Sequence, residues 1–195
     1  MIKTDHKRIH IPKREIWIES REEFLNFDAC DLVIEHSLFS ISLWESKYHK
    51  PFINSDKSPE EMADYIRMMC VDDLVRATLP KEFFLTIPQP VLREIDDYIK
   101  DPMTATTISE DDEDSISKPG GKKEILTAEL LYYYMTTQNI PFECEMWHIN
   151  RLIMLIKVCG IKNQPEDSKK KKMTSSDLAR RRARMQAARA KYAKH

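Results

Sequence analysis

The chain reads as an α+β protein, mainly helical, with a small N-terminal β-hairpin or sheet packed on a helical domain and a basic helix at the C-terminal end. Three observations predict this. Period-2 alternation of apolar residues is confined to the first third of the chain. Helix start signals and i, i+3, i+4 apolar stripes fill the middle. The charge divides unevenly, so a folded body separates from a tail.

Residues 11–56 read as β-rich. Glu15-Ile16-Trp17-Ile18 follows Pro12 as a short strand. Leu32 to Trp44 carries the clearest strand pattern, with Phe39, Ile41 and Leu43 alternating with Ser40 and Ser42. A helix is the other reading of that stretch, since Asp31 precedes it and breakers are few; its β-branched and serine content favours a strand. Phe52-Ile53 after Pro51 adds a short edge.

Residues 57–101 read as helical. Ser58-Pro59-Glu60-Glu61 supplies an N-cap Ser, Pro at the first helical position and Glu at the third. Met62, Tyr65, Ile66 and Met69 then share one face. A second helix runs from about Pro90 to Lys100, with Leu92, Ile95, Tyr98 and Ile99 as its stripe, and Asp101-Pro102 ends it.

Residues 103–122 read as a flexible acidic loop, because Glu110 to Asp114 is a run of like charge and Pro119-Gly120-Gly121 follows it. Residues 124–160 read as a helical hairpin: a first helix from Glu124 to Gln138, a break at Asn139-Ile140-Pro141, and a second helix from Glu143 to Cys159. Between Leu152 and Cys159 only Lys157 is polar, which predicts a helix buried on several sides. Gly160 is placed as its C′ stop, with Ile161 supplying the hydrophobic contact. Residues 1–163 thus form a single α+β domain and residues 164–195 a linker and basic tail. No internal repeat is evident.

Charge sharpens that boundary. The chain totals 31 Lys+Arg and 32 Asp+Glu. Residues 164–195 hold 11 of the bases and three of the acids, a net of +8, which leaves 20 and 29, a net of −9, for residues 1–163. In the tail, Leu178, Met185 and Tyr192 stand seven residues apart among Arg180, Arg181, Arg182, Arg184 and Arg189. That stripe is thin, so the helix is marginal alone and firmer when bound. Leu178, Arg180, Arg181, Arg182, Arg184, Met185 and Arg189 are the candidate partner-binding residues.

Composition excludes several functions. Only three glycines occur, Gly120, Gly121 and Gly160, against about a dozen expected at average usage. No phosphate-cradling glycine loop can be built from them. Cys30, Cys70, Cys144 and Cys159 contain no C-x-x-C pair and read as small apolar residues. Cys144 and His148, four apart, supply one close ligand pair where zinc usually uses two, so no metal ligands are assigned. The opening residues are charged and no apolar run approaches a membrane span, so a cytosolic protein is expected.

No catalytic constellation emerges. Glu35-His36-Ser37 has the residue types of a triad, but neighbours on a strand point to opposite faces, so a buried hydrogen-bonded His is expected. Trp44 to Tyr48 reads as the polar end of a strand closing on an aromatic cluster. Asp72-Asp73 reads as a solvated turn and Asp96-Asp97 as an exposed helix face. Tyr132 to Tyr134 reads as core and interface surface. No catalytic residue and no cofactor are assigned.

Two blocks carry a resemblance. Leu32 to Ile53 (LVIEHSLFSISLWESKYHKPFI) and Glu143 to Asn163 (ECEMWHINRLIMLIKVCGIKN), the latter preceded by Ile140-Pro141-Phe142, resemble tail assembly chaperones of tailed bacteriophages. Ser58 to Met69, Met103 to Thr107 and the Arg/Ala-rich ending fit the same likeness, which covers most of residues 12–190. It implies a non-enzymatic role in the host cell cytoplasm, binding the tape-measure protein before tail-tube subunits polymerise around it. It also implies absence from the finished particle and, in many such families, a longer product made by programmed frameshifting, for which the codons of Lys169 to Lys172 offer an A-rich stretch. The expected partners are the tape-measure and tail-tube proteins, with a homo-oligomer also open and no membrane involved. A structural virion component and a nucleic-acid-binding protein acting through the basic helix are the alternatives.

Overall fold

The computed structural model describes residues 6–19, 21–53, 55–107, 125–163 and 179–186. The chain divides into two compact units, Met1–Ile161 and Lys162–His195. The first is α+β and mainly helical, with antiparallel strands at its N-terminal end packed on helices.

Four short strands open the fold: β1 (Lys7–Ile11), β2 (Arg14–Ile18), β3 (Glu23–Phe27) and β4 (Cys30–Ile34). β1 pairs with β4 and β2 with β3, both antiparallel. Ile11 faces Cys30 and Arg14 faces Phe27, so two residues on each side, Pro12-Lys13 and Asp28-Ala29, interrupt one long hairpin without shifting its register. Proline lacks a donor N–H, which suits it to such a break. The inner ladder is buried on one face through Ile9, Ile11, Leu32 and Ile34. The outer ladder buries no residue fully. Its half-buried face meets the helical layer at Phe27, whose ring stands edge-on to Phe83 at 5.3 Å.

The chain then turns helical, and here the strand expected to run through Trp44 is corrected. β4 ends at Ile34, and α1 occupies Leu38–Tyr48. Ser37 and Ser40 form a capping box, each side chain accepting from the other's backbone N–H. The Ser40 hydroxyl donates to the Ser37 carbonyl and that of Ser42 to Phe39, so hydroxyls that compete with helix bonding elsewhere are satisfied inside the helix. Leu38, Ile41, Trp44 and Glu45 make its buried face. The alternation of Phe39, Ile41 and Leu43 coincides with that spacing without causing it. Phe52-Ile53 forms no strand edge; Phe52 instead enters an aromatic cluster.

α2 (Pro59–Met69) begins as expected, with the Ser58–Glu61 capping box and Pro59 in the first turn. Its buried residues include Tyr65, Ile66 and Met69. After it, the backbone of residues 69–71 runs beside the end of β4: Glu35 N–H donates to Met69 O and Val71 N–H to Val33 O. Two short helices follow that the sequence pattern does not announce, α3 (Asp73–Thr78) and α4 (Lys81–Leu85). Asp72 caps α3 by accepting from the N–H groups of Leu74 and Val75, so the acidic pair opens a helix instead of a turn. α4 is anchored by buried Phe83 and Phe84. α5 (Gln89–Lys100) buries Ile95 and Tyr98, half-buries Leu92 and Ile99, and leaves Asp96 and Asp97 exposed. It packs on β1, where Lys7 pairs with Glu94 at 2.9 Å.

Residues 103–107 are non-helical, and the acidic run and Pro119-Gly121 lie outside the described residues. α6 (Ala128–Thr137) starts at the Thr127 cap and packs on α1. A 3-10 turn (Phe142–Met146) and then α7 (Ile149–Lys162) replace the single helix expected from Glu143. α7 also corrects two other expectations. It is buried along one face only, through Ile149, Leu152 and Ile156, while Met154, Val158 and Ile161 stay half-exposed. Gly160 lies within the helix instead of terminating it, since two further residues keep helical bonding.

In the second unit, residues 179–186 are helical.

Candidate functional site

Buried polar groups gather where the hairpin leads into α1. His36 and His148 stand with their rings 5.0 Å apart, edge to face, and both are buried. His148 has a defined proton. Its Nε2 lies 3.0 Å from the Tyr98 carbonyl and so donates, and its Nδ1 accepts from the Asn150 N–H at 3.3 Å. The ring is therefore neutral. His36 Nδ1 lies 2.5 Å from the Tyr65 hydroxyl, which also sits 3.2 Å from Ser40 Oγ. Burial, the largest cause, pulls the His36 pKa down to about 3, and the positive charge of nearby Lys57 acts in the same direction. Burial pushes the Tyr65 phenol upward. Both imidazoles and the phenol are uncharged at neutral pH.

The backbone of the cluster is bonded as fully as its side chains. His36 N–H donates to the Tyr98 hydroxyl, and Ile149 N–H donates to His36 O at 2.8 Å. β4, α2, α5 and α7 thus meet at His36. Glu35, also buried, pairs with His6. The Glu35-His36-Ser37 triplet does not lie on a strand, and its three side chains serve different partners: His6, Tyr65 and the cap of α1. This geometry joins four elements and presents no nucleophile–base pair to a substrate.

Trp44, Tyr48, Phe52 and Tyr65 form the neighbouring aromatic cluster, with Phe52 4.2 Å from Tyr65 and edge-on to Trp44 at 5.2 Å. Trp44 and Tyr48 lie on α1, Tyr65 on α2 and Phe52 in the bend between them, so the cluster does not close a strand end. Glu45 is buried beside it and accepts from two backbone N–H groups, Phe52 and Ala128, each at 2.7 Å. One carboxylate therefore fixes the start of α6 against α1. Cys144 sits in the 3-10 turn and His148 precedes α7, so the pair shares no helix.

The outward groups are aromatic and cationic. Arg180, Arg181, Arg182, Arg184 and Met185 are exposed on the helix of residues 179–186, while Leu178 and Arg189 lie outside the described residues. Tyr133 on α6 is 60 % exposed and Phe142 in the 3-10 turn 57 %. The Tyr132 ring lies 6.4 Å from Phe142 and its hydroxyl donates to Glu145 at 2.7 Å, while the Tyr133 ring lies 5.7 Å from Tyr134. Burial and that bond push the Tyr132 phenol up to about 12.

No family model, curated protein or solved structure matches the chain.

A second aromatic pair is not foreseen from the sequence. Trp17 on β2 and Phe24 on β3 face each other across the outer ladder, ring centroids 4.8 Å apart, and are 49 % and 59 % exposed. The alternation Glu15-Trp17-Glu19 carries half of the signal; the other half needs the partner strand. No described helix is long and apolar enough to cross a membrane.

Proposed function

We propose that the protein is a non-enzymatic tail assembly chaperone of a tailed bacteriophage, holding the tape-measure protein in the host cytoplasm during tail morphogenesis. The observation that carries this reading is the exposure of two aromatics, Tyr133 on α6 and Phe142 in the 3-10 turn, each by more than half its surface, with the Tyr132 ring 6.4 Å from Phe142. Exposed aromatic side chains favour binding to another chain, because they offer large apolar area with little side-chain entropy to lose. The resemblance of residues 32–53 and 143–163 supplies the identity of the partner. The exposed arginines of residues 180–184 supply a second contact, to that partner or to the tail-tube subunit.

Co-expression pull-down of the full chain with the tape-measure protein tests the reading. The wild type should capture its partner at micromolar concentration. Tyr133→Ser with Phe142→Ser should reduce capture about tenfold or more, as expected for aromatic anchors. A wild-type chain that captures nothing overturns it. Mass spectrometry of purified particles distinguishes a structural virion component, which stays in the particle, from a chaperone, which does not.

The cluster Arg180, Arg181, Arg182 and Arg184, exposed on one short helix, favours a second reading as a nucleic-acid-binding protein. It predicts a mobility shift that weakens steeply with salt and disappears when these arginines are replaced by Glu.

A further inference from the structure

The outer ladder of the hairpin presents two unlike faces. Side chains alternate along a strand, so Arg14, Ile16 and Ile18 lie on one side with Leu25 and Phe27, all half-buried. Glu15 and Trp17 lie on the other with Asn26 and Phe24, all exposed, and Glu19 and Glu22 stand exposed at the turn immediately beyond. The neighbouring cations are turned away or engaged. The Arg14 guanidinium covers the Phe83 ring at 4.3 Å and donates to the Phe83 carbonyl. Arg21 pairs with Glu82 at 2.9 Å. Glu15, Glu19 and Glu22 form no ion pair with another described residue.

An exposed Trp–Phe pair with carboxylates around it is complementary to an apolar segment that bears arginine. The guanidinium stacks on an indole face and reaches a carboxylate with its remaining N–H groups, which lysine does less well. The chain itself contains one such segment. Leu178, Met185 and Tyr192 stand seven residues apart among five arginines, and the described part, including Met185, is exposed. We propose that the Trp17–Phe24 face of the hairpin binds the arginine-rich helix of a second copy of this chain. The opposite net charges of residues 1–163 and 164–195 favour such an encounter between copies. The two surfaces differ, so the contact is heterologous and builds rings or open chains, not a two-fold pair. Its hairpin side, on β2 and β3, is separate from the α6 and 3-10-turn aromatics assigned to the tape-measure protein; the arginine helix is common to both, so it is the Trp17→Ser/Phe24→Ser variant that makes the two readings fail separately.

Light scattering of the full chain, across concentration and salt, tests the proposal. At about 50 mM salt the mass should rise with concentration above the 23.0 kDa monomer, and at about 500 mM it should return to it. Arg180→Glu/Arg182→Glu/Arg184→Glu changes only exposed side chains and should keep the wild-type melting curve, and Trp17→Ser/Phe24→Ser, which loses one cross-strand ring pair, should lower it by no more than a few degrees; both should keep the wild-type far-UV spectrum. Each alone should associate at least about tenfold more weakly. Mixed in equal amounts they should form a dimer, since the first keeps the helix and the second keeps the face. A wild-type chain that stays monomeric at low salt overturns the proposal, as do variants that associate like the wild type or a mixture that yields no dimer.

Discussion

Glu45 shows how one side chain organises its surroundings. It sits buried on α1 and its two oxygens take the N–H groups of Phe52 and Ala128. A charged acceptor for backbone N–H groups contributes more than a neutral one, and its removal strands both donors in the interior. Glu45→Ala should cost about 3 kcal/mol or more of stability in urea unfolding. Glu45→Gln should cost less than Ala but remain destabilising, since its amide turns one acceptor into a donor. Nothing in the sequence marks this residue. Its string reads as the polar end of a strand, and its second partner lies far along the chain. Ser58 is the opposite case. Its cap partners are all within three residues, so the local string carries the whole device.

At the scale of elements, the hydrophobic period is informative where it is unambiguous. α2 and α5 are legible because their stripes fit only a helix. α1 is not, because Phe39, Ile41 and Leu43 satisfy a period of two while Leu38, Ile41 and Glu45 satisfy a helix, and the Ser37–Ser40 box decides between them. β3 is not legible either, because Phe24-Leu25-Asn26-Phe27 reads as a strand only once β2 lies beside it. The stop assigned to Gly160 fails for a related reason: glycine marks helix ends on average, yet here the helix continues past it. A Cβ at that position would meet only the Gln138 side-chain nitrogen at 3.8 Å, an ordinary contact. Gly160→Ala should therefore stabilise the protein by roughly 0.5–1 kcal/mol, measured as a raised unfolding midpoint. A left-handed glycine at C′ would give the opposite sign.

At the scale of the whole molecule, the buried His36 imidazole links folding to pH. His36 is held well below its ordinary value of 6.5, at about 3, so the native state leaves it neutral while the unfolded chain takes up a proton. Its contribution is complete above pH 6.5 and is lost as pH falls towards 3. Between pH 6.5 and pH 5 this amounts to about 2 kcal/mol. His36→Asn should lower stability at pH 7 and flatten the acid limb relative to wild type, as followed by denaturant unfolding at stepped pH. An unchanged slope would exclude His36 as its source. The residue pattern suggests a buried, hydrogen-bonded His36. It holds no sign of His148 against it, because that contact depends on how α7 returns to the hairpin.

The interruption at Pro12-Lys13 and Asp28-Ala29 sets a limit on cooperativity. The inner ladder shares the main core through Ile9, Ile11, Leu32 and Ile34, so it opens when the domain opens. The outer ladder has no fully buried residue and is tied to the helices through Arg14, Phe27 and Arg21. It can therefore unzip as a separate, lower-energy unit while the remainder stays folded. That makes residues 19–22 a natural point of entry for new sequence, where a peptide graft or a permuted terminus would burden only the part of the molecule that already stands apart.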